Sequence, residues 1–197
     1  MADLSFPITG DPDDDALLLE DPFALLLGML LDQQVPMEWA FRSPARLRER
    51  MEAAEPNSFS PEGLAALDEE DVIALFAEKP ALHRYPKSMA KRAHGVARIL
   101  VDEYGGDAAT LWQTADDGAE LYRRLRTLPG YGEEKAKIFV ALLAKRFGVR
   151  PRGWKTVTEP FSDSVPRSVA DIDSPASLAR VREWKKAQKA AGKSKQD

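Results

Sequence analysis

The chain of 197 residues is 44% hydrophobic and 30% charged, the balance of a globular protein with a sizeable core. It holds no cysteine and two histidines, His83 and His94, which excludes a disulfide framework, a cysteine nucleophile, an iron–sulfur cluster and a His-rich metal site. The net charge of −4 conceals an uneven split: residues 1–78 carry 4 basic and 18 acidic side chains and the remainder 24 and 14, so one region could attract a polyanion that the other repels.

In chain order, residues 1–15 read as an arm, broken by Pro7, Gly10 and Pro12 and carrying the acidic cluster Asp11 to Asp15. Asp21-Pro22 has the form of an N-cap followed by proline at the first helical position. Phe23 to Leu31 is apolar nearly all round, which predicts a helix in the middle of a bundle, far too short to span a bilayer. It ends at Asp32, Gln33 and Gln34 before Pro36. Helices are expected from Met37 to near Met51 and from Pro61 to near Glu78, with loops at PNSFS and ALHRY.

From Ser88, the residues Met89, Ala93, Val96, Ala97, Leu100, Val101 and Tyr104 repeat with a helical period that Gly105-Gly106 ends. Shorter helices follow around Ala108 to Thr114 and Gly118 to Arg126. Then LPGYGEEKAKIFVALLAKRFG gives a glycine turn and a helix whose buried stripe pairs Ile138 with Leu142 and Phe139 with Leu143 and Phe147. Residues 149–175 hold no strong period and read as an irregular connector. Pro175 to Ala190 forms a last helix with a frayed, lysine-rich end. Lys185, Lys186, Lys189, Lys193 and Lys195 are expected to form a solvated tail with nonspecific attraction for phosphate. No segment alternates as a strand would, so an all-α chain without internal repeats is predicted. The acidic start lacks the order of a secretion signal, and a cytoplasmic location is expected.

The segment Leu128-Pro129-Gly130-Tyr131-Gly132 lies between two helical stretches. Glycines two residues apart permit a hairpin too tight for side chains and let the amides of the next helix's first turn approach an anion. A phosphodiester is the natural ligand, held without reading sequence. Trp39, Phe41 and Tyr85 are candidates to stack on bases, whereas His83 and His94 read as structural.

With the QQ helix Phe23 to Gln34, the stretch Lys87-Ser88-Met89-Ala90-Lys91-Arg92 and the hairpin LPGYGEEKA, residues 21–170 resemble the helix–hairpin–helix (HhH-GPD) DNA glycosylase superfamily, in its cluster-free branch. The resemblance implies a two-lobed all-α fold with a DNA cleft between the lobes. Residues 22–147 would form the larger lobe, and residues 1–21 with 148–197 the second lobe and basic tail. It implies duplex DNA as partner, a monomer, and hydrolysis of the N-glycosidic bond of a damaged base; a non-catalytic DNA-binding protein is the alternative. Leu128, Gly130, Tyr131, Gly132 and Lys135 would hold the phosphate backbone, and Gln33 or Gln34 would enter the stack. No cofactor is implied beyond a monovalent cation that the hairpin could hold.

Two departures bear on the chemistry. Bifunctional members carry a lysine two residues after the second hairpin glycine; Glu134 stands there, with Lys135 one later, so simple hydrolysis is expected without strand cleavage. The family's aspartate, by the same resemblance, falls at Arg152. Asp163, in DSVPRSVA, is the nearest later carboxylate and the first candidate for the catalytic acid, with Asp32 the alternative.

Overall fold

The computed structural model describes residues 5–196, and its regular structure there is eleven α-helices and one 3-10 turn, without a strand. The helix start expected at Asp21-Pro22 is the start of α2 (Pro22–Leu31), where the Asp21 carboxylate accepts from the amides of Phe23 at 2.8 Å and Ala24 at 3.1 Å. Every residue from Phe23 to Leu31 is buried, because α1 (Pro12–Glu20), α3 (Met37–Ala54) and α6 (Pro86–Tyr104) all pack on this helix. Burial of one leucine side chain stabilises by about 1.5–3 kcal/mol, so α2 is the axis on which the core is built. A Cβ on Gly28 would stand 2.7 Å from the Phe41 ring, so α2 and α3 approach each other through a glycine.

Helices α6, α7 (Thr110–Gln113), α8 (Gly118–Thr127), α9 (Glu133–Arg146) and α11 (Pro175–Ala190) lie where the sequence puts them, to within a few residues. Gly105 ends α6 in the left-handed conformation at φ 63°. Phe41, weighed as a stacking residue, is in the core at 1% exposure. No described helix is long and apolar enough to cross a membrane.

Three segments differ from expectation. Residues 5–11 are not a free arm: Phe6 and Ile8 are buried, and the Phe6 ring meets Phe41 edge-on at 5.5 Å and Phe147 at 6.2 Å. The acidic cluster is spent locally. Asp11 caps α1 by accepting from the Asp13 and Asp14 amides, while Asp15 Oδ1 accepts from the Ile8 and Thr9 amides and from Thr9 Oγ1. The expected helix from Pro61 to Glu78 is two, α4 (Pro61–Ala66) and α5 (Glu69–Ala77), separated by Leu67 and Asp68 with extended ψ of 152° and 148°. The break lets Leu64 on one helix and Val72 and Phe76 on the other reach the core beside α6.

The connector after α9 is also more ordered than its pattern suggests. It contains α10 (Trp154–Val157) and the 3-10 turn Val169–Asp171, and it buries Phe161, Val169, Ala170 and Ile172. Phe161 is seated apart from the others, and Val169, Ala170 and Ile172 come from one short 3-10 turn and its end, which leaves no helical period to read. Both short elements pack on α9, and the 3-10 turn also contacts α11.

Candidate nucleic-acid interface

The turn from α8 to α9 contains two glycines with different physical duties. Gly130 has φ 84°, and a Cβ there would lie 2.6 Å from Leu30 Cδ1 and 3.0 Å from Arg92 Cδ. Conformation and space both demand glycine. Gly132 has φ −71° and ψ 176°, open to any residue, and a Cβ there would meet nothing within 4 Å. It is the N-cap residue of α9 and no side chain caps that helix. The first-turn amides of α9, which have no partner inside the helix, therefore open beside an empty face.

Two side chains one helical turn apart fix the hairpin to α2. Tyr131 Oη donates to the Leu26 carbonyl at 2.7 Å, and Lys135 Nζ donates to the Leu30 carbonyl. The donors are four residues apart and so are the acceptors, so the end of α2 and the start of α9 are held in one register. Leu128 and Tyr131 are buried at 2% and 3% exposure, so of the expected phosphate contacts their side chains belong to the core. The Tyr131 hydroxyl, wholly buried, has its pKa pushed well above the ordinary tyrosine value. Burial likewise lowers the Lys135 amine to about 8, against an opposing pull from Asp32 and with a further push from Arg92 and Lys195. As a cation, Lys135 also suits the carbonyl end of α2, which has no basic residue in its last turn.

Between these elements lies an open groove of about 530 Å³, where Asp32 and Gln34 face Gly130, Gly132, Glu134 and Lys135. Lys185, from α11, and Lys195, beyond it, complete the rim. Burial lowers the pKa of Lys185, opposed chiefly by Asp32. The Asp32 carboxylate makes no hydrogen bond among the described residues, and the ammonium groups of Lys135 and Lys185 supply its electrostatic partners.

The two glutamines part company. Gln33 is fixed: its Oε1 accepts from Arg92 at 2.8 Å, and its carbonyl lies 3.0 Å from His83 Nε2. His83 Nδ1 accepts from the Tyr85 amide at 3.0 Å, which assigns the ring proton to Nε2. Burial depresses the His83 pKa, so the ring is neutral at pH 7 and donates to Gln33. Gln34 is exposed with φ 57°, a left-handed backbone that costs a non-glycine residue about 1–2 kcal/mol.

Beside this turn the His83 ring lies 6.5 Å from Trp39 and 6.0 Å from Tyr85. Trp39 Nε1 donates to the Ala81 carbonyl at 3.3 Å. Tyr85, 43% exposed, is the one large apolar side chain on the surface among the described residues, and the Arg84 guanidinium sits 5.5 Å from its ring. Lys87, Lys91 and Arg92 line the same shallow depression. His83 and Arg92, which position Gln33, were not singled out by the sequence for any role in the site; their burial and partners come from residues 50 and 59 positions away.

Asp163 stands elsewhere. Its Oδ1 accepts from the Val165 amide and its Oδ2 from Arg167 Nε, both at 3.0 Å, and its carbonyl accepts from Lys145. Both carboxylate oxygens are thus committed to the connector, and the residue is not part of the groove's lining. Arg152, where the resemblance led the aspartate to be expected, is an exposed side chain 3.8 Å from Asp117. Among the described residues no cluster of three His, Asp or Glu side chains could hold a metal ion.

Searches among curated proteins and among solved structures return no match to the chain. A family model of the HhH-GPD superfamily base excision DNA repair proteins does match, over residues 27–195, from α2 through the hairpin to the segment beyond α11, and the chain belongs to that family.

Proposed function

We propose that the protein binds duplex DNA through the hairpin and hydrolyses the N-glycosidic bond of a damaged base, with Asp32 as the carboxylate. The observation that carries this reading is a convergence. One groove joins the uncapped start of α9 at Gly132, the exposed glutamine turn and a carboxylate with no hydrogen-bond commitment. A backbone phosphate would accept from the first-turn amides of α9 at the open Gly132 face. A base extruded from the duplex leaves a gap in the stack, and Gln34, exposed on its left-handed turn while the neighbouring Gln33 side chain is tied to Arg92, is suited to fill that gap. Tyr85 and Trp39 offer ring faces nearby.

As the glycosidic bond breaks, positive charge grows on the sugar. A carboxylate at this groove stabilises that charge and orients the attacking water. Asp32 fits the task better than Asp163, whose oxygens are engaged by Val165 and Arg167. Glu134 at the position of the lysine nucleophile favours hydrolysis over strand cleavage. The two-lobed division, the DNA cleft between lobes and a monomer as working unit belong to the same proposal.

The test is incubation with duplexes bearing alkylated, oxidised or deaminated bases, scored for abasic sites. Excision of at least one lesion is expected, falling by about a hundredfold in Asp32→Asn with binding intact. Arg152 at the aspartate position favours a second reading, a binding protein without catalysis. Tight, salt-sensitive binding with no excision of any lesion would select it.

A further inference from the structure

The lysine-rich segment beyond α11 does not fray. Gly192, at φ 68°, turns the chain back, and the Lys193 amide donates to the Gln188 carbonyl at 3.0 Å. The Lys195 carbonyl then accepts from Arg167 Nη1 at 3.2 Å, and Lys195 Nζ pairs with Glu134 Oε1 at 3.1 Å. Arg167 is itself held, by Asp163 at 3.0 Å and by the Trp184 ring face at 5.4 Å. Residues 192–196 thus form a strap across the rim of the hairpin groove, with an ammonium on a carboxylate in the first turn of α9.

That carboxylate poses a problem for an anion-binding helix start. Glu133 and Glu134 stabilise α9 by complementing its dipole, yet both charges stand beside the Gly132 face that a phosphate would use. Glu133 is answered from within the helix by Lys137 at 2.9 Å. Glu134 is answered by the strap: among the described residues its ion pair is with Lys195.

We infer that the strap is a charge mask: Lys195 neutralises Glu134 and so makes the hairpin able to accept a DNA phosphate. This rests on the duplex-binding reading above. It also assigns Asp163 and Arg167 work as the strap's anchor.

The test is a double-mutant cycle on duplex affinity at one fixed salt concentration, with an undamaged duplex as probe. Lys195→Ala should weaken binding about fivefold in the parent background and by less than about twofold in a Glu134→Gln background, where nothing is left to mask. Deletion of residues 192–197 should behave as Lys195→Ala does and be rescued in the same way. An equal loss in both backgrounds makes Lys195 a direct phosphate ligand and overturns the mask. Tighter binding after deletion makes the strap an obstruction and overturns it too.

A parent that binds no duplex sinks the duplex-binding reading instead. Amide exchange at Lys193 and Gln196 then judges the strap by itself. Faster exchange in Lys195→Ala and Glu134→Gln is expected, and unchanged exchange means that the pair does not hold the strap.

Discussion

Arg92 donates to the side-chain oxygen of Gln33 at 2.8 Å across 59 residues of sequence. The same arginine's Cδ would lie 3.0 Å from a Cβ placed on Gly130, so one side chain from α6 touches both the glutamine turn and the hairpin. Removing the guanidinium while keeping an apolar stem, as in Arg92→Met, should cost about 1–1.5 kcal/mol in urea unfolding. Gln33→Ala should add little in that background, because the bond is already gone. Fully additive losses would mean that the two side chains do not act on each other.

The two hairpin glycines should respond in opposite ways. Gly130→Ala combines a strained backbone with a clash against Leu30 and should destabilise by at least about 2 kcal/mol in thermal unfolding. A Cβ at Gly132 meets no neighbour, but valine is a poor N-cap, so Gly132→Val should cost about 1 kcal/mol and stay folded, while its side chain stands in the phosphate's path. Duplex affinity should then fall at least about tenfold. A Gly132→Val protein that is folded and binds like the parent would remove the hairpin from the interface.

Lys135 sets a pH window. Its amine loses its proton at about 8 when folded, whereas in the unfolded chain it would hold the proton to the ordinary lysine value of 10.5. The folded pKa is the lower one, so the buried charge costs stability in full below 8, and that cost is relieved as pH rises from about 8 toward 10.5. Stability contributed through this group therefore rises with pH over that range. Nitrogen-detected NMR of the lysine side chains should show one amine, abolished by Lys135→Met, titrating near 8 and well before the exposed lysines. If the amine that disappears in Lys135→Met titrates with the exposed lysines, the burial described for it is wrong.

Carboxylate substitutions separate chemistry from scaffolding. Asp163→Asn loses charge against Arg167 but should leave excision within about threefold of the parent, in contrast to Asp32→Asn. The reverse pattern would return the catalytic role to Asp163. Under the hydrolytic reading proposed above, in which Glu134 replaces the lysine nucleophile, borohydride reduction during turnover should trap no covalent complex. A trapped adduct that disappears in Lys135→Met would show that the lowered amine has taken over that chemistry.

The helices that could be read from sequence are those whose own residues specify them. Asp21-Pro22 caps α2 by itself, Gly105 stops α6 by itself, and α9 carries its apolar stripe on its surface. Asp11-Pro12 has the same cap signature as Asp21-Pro22, but the prolines and glycine around it read as a broken arm. The break at Leu67 and Asp68 does carry a local mark, Asp68 as N-cap followed by Glu69, Glu70 and Asp71 in the first turn of α5, which the continuous apolar run around it hid. In the candidate site, the glycine turn and the glutamines were visible as motifs. The sequence could not tell Gln33 from Gln34, because the distinction is made by His83 and Arg92 from distant segments. Lys185 and Lys195 looked like members of a solvated lysine run, since only the turn at Gly192 and the fold of the connector bring Lys195 to Glu134.

The seat of Phe6 between Phe41 and Phe147 bears on how the chain comes to be folded during synthesis. Residues 6–8 are made well before Phe147, which follows α9, so this contact closes a long loop, the kind of pairing that is slow to form. In the interval two large apolar side chains, Phe6 and Ile8, stand exposed on a nascent chain. The four aspartates at positions 11, 13, 14 and 15 follow immediately. Before they become caps and turn ligands, their mutual repulsion would keep neighbouring nascent chains from pairing through that exposed segment.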